Sequence, residues 1–125
     1  MIGYVTLGTN DMETSAKFYD ALLAELGASR FMEMETFIAW AVNPQQPALS
    51  ITKPFDGNPA SVGNGVMIAL GVDSPEKVDA VYKKAIELGA QDEGPAGPRG
   101  DTFYAGYFRD LDGNKLNVFC MTQPG

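Results

Sequence analysis

The sequence predicts an α+β fold made of two copies of one βαβββ module. One observation is a repeat, in which four residues recur 63 positions later: Leu7 as Leu70, Gly8 as Gly71, Glu13 as Glu76 and Tyr19 as Tyr82. A second is the order of the predicted elements, which is strand, helix and three strands in each half. A third is the tripeptide "LGA", which ends both predicted helices, at Ala28 and Ala90. Together these observations indicate a duplicated module.

The first module opens with a strand and a helix. Alternation of side chains over residues 2–7 indicates a strand that is covered on one side. Asn10 or Asp11 can cap the start of the helix, and Gly27 supplies the left-handed residue that ends it. Apolar residues between them recur at helical spacing: Met12, Ala16, Tyr19, Leu22, Leu23 and Leu26.

Three strands complete this module, predicted at residues 29–34, 36–41 and 48–54. The segment "FDGNPASVGNG", residues 55–65, is rich in glycine, proline and small polar residues, which is typical of a linker. We therefore place the first repeat module at residues 1–54.

The second module repeats this order. Its helix begins after Ser74 with Pro75 at the first position and ends at Gly89. Strands are predicted before and after it: at residues 66–72, near Gln91, at 103–109 and at 115–122. The second repeat module is thus expected at residues 66–123, and both modules at 1–125 form a single domain.

Composition excludes several classes of protein. A net charge of −7 with no cluster of lysine and arginine argues against a nucleic-acid partner and is compatible with a cationic ligand. No apolar run reaches 18 residues and the start lacks the pattern of a secretion signal, so we expect no membrane partner and a cytoplasmic protein. The single cysteine, Cys120, lies in an apolar strand-like run and is predicted to be a packing residue.

Three stretches resemble a known family. They are "VTLGTNDMETSAKFYDALLAELG" at the start, "PFDGNPASVGNG" with the strand and helix after it, and "YFRDLDGNKLNVFC" near the end. They are similar to the vicinal oxygen chelate superfamily, which includes glyoxalases, extradiol dioxygenases, fosfomycin resistance enzymes and bleomycin resistance proteins. Leu111 stands where members usually have proline. The resemblance implies sheets that curve into a half-barrel, helices outside, a small-molecule cleft between the modules and a homodimer.

The resemblance also implies where a metal would be held. The family's four ligand positions, commonly histidine or glutamate, correspond to Tyr4, Ser50, Met67 and Asn117. None is an effective ligand for a divalent cation, and the sequence contains no histidine. We therefore expect no metal and no other cofactor. Alternation places these residues on the cleft side: Tyr4, Thr6, Ser50, Thr52, Met67, Ala69, Asn117 and Phe119.

The leading functional hypothesis is a metal-free protein that binds a small cationic or aromatic molecule, similar in principle to the bleomycin resistance proteins. Eight polar and aromatic residues are candidate ligand contacts: Tyr4, Trp40, Ser50, Met67, Tyr104, Phe108, Asn117 and Phe119. The alternative is a glyoxalase-like lyase or isomerase, metal-dependent or with Tyr4 as proton donor. The sequence supplies no obvious partner base, so no catalytic residue is assigned. A module that acts through protein contacts is a third hypothesis.

Overall fold

A computed structural model describes residues 1–122, which form two compact units. The first unit is Met1–Val62, and the second begins at Gly63, within the segment that the sequence predicts as a linker. Each unit has one helix and one four-stranded mixed sheet. The predicted α+β fold of two βαβββ modules is confirmed. The predicted end of the second module at residue 123 lies outside the described residues.

The first unit contains β1 (Tyr4–Gly8), α1 (Met12–Ala24), β2 (Ser29–Met34), β3 (Phe37–Ala41) and β4 (Ala48–Thr52). The strand order is β1-β4-β3-β2. β1 and β4 are parallel, and the other pairs are antiparallel. The parallel pair is possible because the crossover through the helix and the hairpin brings the chain back beside β1.

The second unit contains β5 (Ile68–Gly71), α2 (Pro75–Glu87), β6 (Gln91–Pro98), β7 (Phe103–Arg109) and β8 (Lys115–Met121). Its strand order, β5-β8-β7-β6, corresponds position by position to that of the first sheet. β5 and β8 are parallel, while β8 with β7 and β7 with β6 are antiparallel. The duplication seen in the sequence is therefore also a duplication of topology.

Both helices begin and end as their sequences predict. The carboxylate of Asp11 caps α1, because one oxygen accepts a hydrogen bond from the Thr14 amide at 3.1 Å and the other from the Thr14 hydroxyl at 2.8 Å. Ser74 caps α2 by accepting from the Lys77 amide at 3.2 Å. Gly27 and Gly89 follow the two helices with φ of 79° and 101°, a conformation that only glycine adopts at little cost.

Each sheet has one face that carries the helix of its own unit. In the first sheet this face includes Trp40, whose ring centroid lies 5.8 Å from that of Tyr19 on α1. In the second sheet it includes Gly106, where an added Cβ would come within 2.9 Å of the Tyr82 ring on α2. We call the opposite side of each sheet its helix-free face. Each fully buried valine, leucine, isoleucine or phenylalanine side chain of the helix-carrying faces contributes about 1.5–3 kcal/mol to stability.

Cross-strand register identifies the residues of the helix-free faces. In the first sheet, Tyr4 pairs with Ala48, and Ser50 pairs with both Thr6 and Ala39. In the second sheet this face includes Ala69 on β5, Ala105 and Tyr107 on β7, and Asn117 and Phe119 on β8. Side chains of successive strand residues alternate between the two faces of a sheet. The sequence therefore predicts correctly which residues of β1, β4, β5 and β8 lie on the helix-free faces.

Candidate functional site

Tyr4 and Ser50, two of the four positions that the resemblance assigns to a metal, lie on the helix-free face of the first sheet. Tyr4 is 64% exposed, and its ring meets that of Phe37 edge-on with centroids 6.4 Å apart. Ser50 is fully buried. Its hydroxyl donates a hydrogen bond to the Val5 carbonyl at 2.8 Å and lies 2.9 Å from the Thr6 hydroxyl. The Ser50 hydroxyl is therefore used in hydrogen bonds within the sheet, whereas the exposed Tyr4 side chain is available to a ligand.

Met67 and Asn117, the other two positions, belong to the second unit. Met67 comes directly before β5 and is exposed. Asn117 pairs with Tyr107 on β7 and with Ala69 on β5, and only 2% of its surface is exposed. Its Oδ1 is buried and accepts no hydrogen bond from any described residue. Because an unpaired buried carbonyl oxygen costs about 1–3 kcal/mol, this atom requires an explanation.

The residues at these positions do not fit a divalent metal. A phenol, a hydroxyl already used in hydrogen bonds, a thioether and a neutral amide lack the imidazole nitrogens and carboxylate oxygens that such ions require. Among residues 1–122, no group of three or more histidine, cysteine, aspartate or glutamate side chains is placed to hold a metal ion. We therefore assign no chemical step to a metal in this chain.

The structure corrects the sequence-based placement of Trp40. Trp40 pairs with Leu49 across β3 and β4, which puts it on the helix-carrying face, and it is only 1% exposed. Its indole N–H donates to Asp20 on α1 at 2.8 Å. Asp20 also accepts two hydrogen bonds from Arg30, at 2.8 and 2.7 Å, which lower the pKa of its carboxyl. Trp40 therefore anchors the helix to the sheet and is not a ligand contact of the helix-free face.

Tyr104 and Phe108 are corrected in the same way. On β7 they pair with Cys120 and Leu116, which belong to the helix-carrying face of the second sheet. The Tyr104 hydroxyl donates to Asp79 on α2 at 2.7 Å, and this bond raises the pKa of Tyr104. Phe108 is fully buried. Of the eight candidate contacts, five remain on or beside the helix-free faces, and their contact with a ligand stays a prediction: Tyr4, Ser50, Met67, Asn117 and Phe119.

Cys120 agrees with its sequence-based interpretation as a packing residue. It lies on the helix-carrying face of β8 and is 2% exposed. Burial raises the pKa of the thiol, chiefly by penalising the charged form. The thiolate that a nucleophilic role requires is therefore disfavoured.

The helix-free face of the first sheet carries a cavity that the sequence analysis did not anticipate. It has a volume of about 400 Å³, and six residues line it: Tyr4, Phe31, Met32, Met34, Phe37 and Ala39. A second cavity, of about 430 Å³, shares Tyr4 and Phe31 with the first and extends to Asn43 and Gln46. The pairing of β2 with β3 shifts between Arg30 and Met32, which leaves Phe31 as an extra residue in the strand. This bulge, which the sequence pattern does not reveal, brings Phe31 to both cavities.

The helix-free face of the second sheet has different chemistry. Phe103 and Phe119 stack there, with ring centroids 5.5 Å apart and planes at 23°. Further along the same strands, the guanidinium carbon of Arg99 and the ammonium nitrogen of Lys115 each lie 5.7 Å from the centre of the Tyr107 ring. Alternation along β7 could have placed Tyr107 on this face, but the position of Arg99 depends on the irregular pairing of β6.

Comparison with known proteins supports the assignment of a family. The family model described as the glyoxalase/bleomycin resistance protein/dioxygenase superfamily matches residues 1–118. A comparison with curated proteins gave no match. Within residues 1–122, neither helix is long and apolar enough to cross a membrane.

Several solved structures are similar over nearly the whole chain. A glyoxalase/bleomycin resistance protein from Albidiferax ferrireducens T118 is 38% identical, with a TM-score of 0.88, 96% of this chain and 98% of that chain covered. A hypothetical protein from S. aureus is 25% identical with a TM-score of 0.75, covering 96% and 92%. A lactoylglutathione lyase from Agrobacterium tumefaciens, 18% identical with a TM-score of 0.71 and the same coverage, shares the fold. The chain belongs to the glyoxalase/bleomycin resistance protein/dioxygenase superfamily.

Proposed function

We propose that this chain is a binding member of its superfamily, which holds a small apolar or aromatic molecule on the helix-free face of the first sheet without a metal ion. The observation that carries the proposal is the cavity of about 400 Å³ lined by Tyr4, Phe31, Met32, Met34, Phe37 and Ala39. Its volume lies within the range of about 300–1,000 Å³ that is typical of small-molecule sites.

The lining residues suit an uncharged ligand. The side chains of Tyr4, Phe31 and Met34 are more than half exposed, although burial of such groups is favourable. Adjacent exposed apolar side chains commonly mark a binding surface. Aromatic rings offer broad flat contact areas, and methionine side chains adapt to irregular shapes at low cost. A ligand that covers this face would remove apolar area from water on both sides of the contact.

Binding is favoured over the alternative of a lyase or isomerase. Catalysis by proton transfer needs an acid and a base within hydrogen-bond reach of the same substrate. Tyr4 could supply a proton, but the other five lining residues are phenylalanine, methionine and alanine, which carry no titratable group. The second cavity adds the amides Asn43 and Gln46, which do not act as bases. Neither cavity therefore offers the base that the alternative requires.

The proposal can be tested with 1-naphthol, an uncharged aromatic probe, by nuclear magnetic resonance titration of the isotope-labelled chain. We expect saturable shifts at the amides of β2 and β3. The affinity for 1-naphthol should be about tenfold weaker in Phe31→Ser, because an exposed aromatic contact is lost. Phe55→Ser is the matched control, since Phe55 is also exposed in the first unit but lines neither cavity. Equal loss in both variants, or no shift in the first unit, would contradict the proposal.

The part of this proposal that excludes a bound metal ion can be tested separately. Elemental analysis of the purified chain, after dialysis without chelator, should find far less than one zinc, nickel, iron or manganese ion per chain. The reason is the donor set at Tyr4, Ser50, Met67 and Asn117. One ion per chain that is lost on substitution of these residues would overturn this part of the proposal.

We also propose that the chain is a homodimer. β1 and β2 are the edges of the first sheet, and β5 and β6 are the edges of the second. Exposed edges are commonly covered or paired in stable proteins. Light scattering should give twice the chain mass of 13.4 kDa, and a monomer mass at micromolar concentration would contradict this expectation.

A further inference from the structure

Arg99 and Lys115 each place a cationic group near the same aromatic ring on the helix-free face of the second sheet. Each cationic group lies 5.7 Å from the centre of the Tyr107 ring. Neither forms an ion pair with a carboxylate of residues 1–122, although the chain has 16 acidic residues. Arg109, the third cation of this face, is paired with Glu93. In an acidic chain, two cations without a carboxylate partner on one face form a local positive site.

Arg99 is held in place by the backbone of β6. Its Nη1 donates to the carbonyl of Gly97 at 3.0 Å and to that of Pro98 at 3.3 Å, and its Nη2 donates to Pro95 at 2.7 Å. The guanidinium lies close against two glycines, because an added Cβ at Gly94 or Gly97 would stand 3.4 or 3.5 Å from it. A guanidinium has five N–H donors, so donors remain for a ligand. A cation that is already positioned loses little entropy when an anion binds.

Asn117 supplies an independent observation on the same face. It pairs directly with Tyr107 in the β7–β8 register, and its buried Oδ1 accepts no hydrogen bond from the described residues. An N–H or O–H group of a bound molecule would satisfy this oxygen and remove the cost of leaving it unpaired.

The two ends of this face, along the direction of its strands, carry different kinds of side chain. On β8, Lys115, Asn117 and Phe119 point to the same side, and Phe119 stacks with Phe103 of β7. Phe119 lies four positions after Lys115, a distance of about 13 Å along the strand. One end of the face is thus aromatic and the other cationic, a pattern that fits a small molecule with a flat apolar part and an acidic group.

We propose that the helix-free face of the second sheet binds a small aromatic oxyanion. Its carboxylate or phosphate group contacts Arg99 and Lys115 beside the Tyr107 ring, and its aromatic ring lies against Phe119 and Phe103. An N–H or O–H group between the two ends donates to Asn117. The net charge of −7 favours cationic ligands in general, but charges more than about 8 Å away are largely screened at physiological salt. The two local cations therefore decide which ligand this face accepts.

This proposal does not rest on the cavity of the first unit, and the experiment separates the two. The full chain is titrated with benzoate and with phenyl phosphate, and with benzyl alcohol as the uncharged analogue, by calorimetry and by amide shifts. We expect both anions to shift the amides of Tyr107, Asn117 and Phe119, and benzyl alcohol to bind at least tenfold more weakly. The tighter of the two anions identifies the acidic group as carboxylate or phosphate.

Variants test the residues themselves. Arg99→Gln and Lys115→Gln should each weaken the preferred anion about tenfold, because each removes one charge-assisted contact. Lys83→Gln is the matched control, since Lys83 is an exposed cation of the same unit on α2, and it should leave the affinity within twofold. Circular dichroism checks that each variant is folded. Equal binding of benzyl alcohol, no binding of either anion at about 10 mM, or equal effects of all three substitutions would overturn the proposal.

Discussion

In the first sheet, the helix-free face carries Met32, Met34 and Phe37, whereas the equivalent face of the second sheet carries Tyr107, Asn117 and Lys115. The two sheets have the same strand order and the same parallel pair. The difference therefore lies in side chains on a common backbone. It indicates that the duplicated module preserves its topology through the helix-carrying face, while the other face is free to change its chemistry.

The helix-carrying faces also differ in the polar groups that attach the helix to the sheet. In the first unit, Asp20 of α1 accepts hydrogen bonds from Arg30 and Trp40. In the second unit, Tyr82 of α2 donates to Asp92 at 2.7 Å, and Asp79 of α2 accepts from Tyr104. A carboxylate takes part in each case, with a cation and an indole as donors in one unit and phenols in the other. The two units therefore use different hydrogen-bonding groups to attach the helix to the sheet.

The largest expected effect concerns the part that the two units share. Trp40→Ala and Phe108→Ala should each lower the free energy of unfolding by about 3–5 kcal/mol, because each deletes a buried aromatic side chain between sheet and helix. Urea denaturation gives this quantity. Phe55→Ala, which removes an exposed ring, is the control and should change it by less than about 0.5 kcal/mol. Similar values for all three would show that Trp40 and Phe108 are not core residues.

A double substitution would remove the difference in charge between the two helix-free faces. Arg99→Met combined with Lys115→Met makes the second face apolar, and the affinity for the preferred anion should fall about 100-fold, since two charge-assisted contacts are lost. Binding of 1-naphthol in the first unit should not change. Calorimetry with each probe measures both effects. Retained anion affinity in the folded double variant would place the anion elsewhere.

The attachment of α2 should be sensitive to alkaline pH. Burial and the hydrogen bond to Asp92 raise the pKa of Tyr82 to about 12, from an ordinary value of 10.0. Because the folded state holds the proton more tightly, this contribution to stability is complete below pH 10 and is lost as pH rises towards 12. Melting temperatures across this range should fall less steeply in Tyr82→Phe than in the unmodified chain. Parallel curves would contradict the pKa assignment.

The smallest expected effect on stability is at Asn117. Asn117→Leu replaces an amide that has an unpaired buried oxygen with an apolar side chain of similar size, so the free energy of unfolding should stay within about 1 kcal/mol or rise. The affinity for 3-hydroxybenzoate, which adds an O–H group to benzoate, should fall in this variant because the partner of that group is lost. Urea denaturation and calorimetry measure the two effects. A loss of stability above about 2 kcal/mol would mean that the Asn117 amide stabilises the fold.

The sequence predicted the architecture well because several signals agreed. Asp11, Ser74, Gly27 and Gly89 mark the helix ends by local chemistry, which does not depend on the rest of the fold. Alternation likewise assigned Tyr4, Ser50, Asn117 and Phe119 to the helix-free faces. Assigning a residue to one face of a sheet in this way requires only its position within its own strand.

The site was predicted less well, for reasons that lie in strand pairing. The sequence predicts Trp40, Tyr104 and Phe108 as ligand contacts because they are aromatic residues of strands, but their faces follow from the register with β4 and β8. Phe31 lies at a bulge, and Arg99 follows the irregular strand β6, so neither position obeys simple alternation. Long-range register and bulges are not encoded in local periodicity, and they decide which side chains meet.

The most direct measurement is a map of amide shifts for two probes added to the same labelled chain. The account predicts that 1-naphthol perturbs β2 and β3 around Phe31 and Phe37, while benzoate perturbs β7 and β8 around Tyr107 and Asn117. The reason is that one helix-free face is lined by apolar side chains and the other by two cations beside an aromatic ring. If both probes perturb the same residues with the same affinity, the two faces do not differ in function, and the central claim is contradicted.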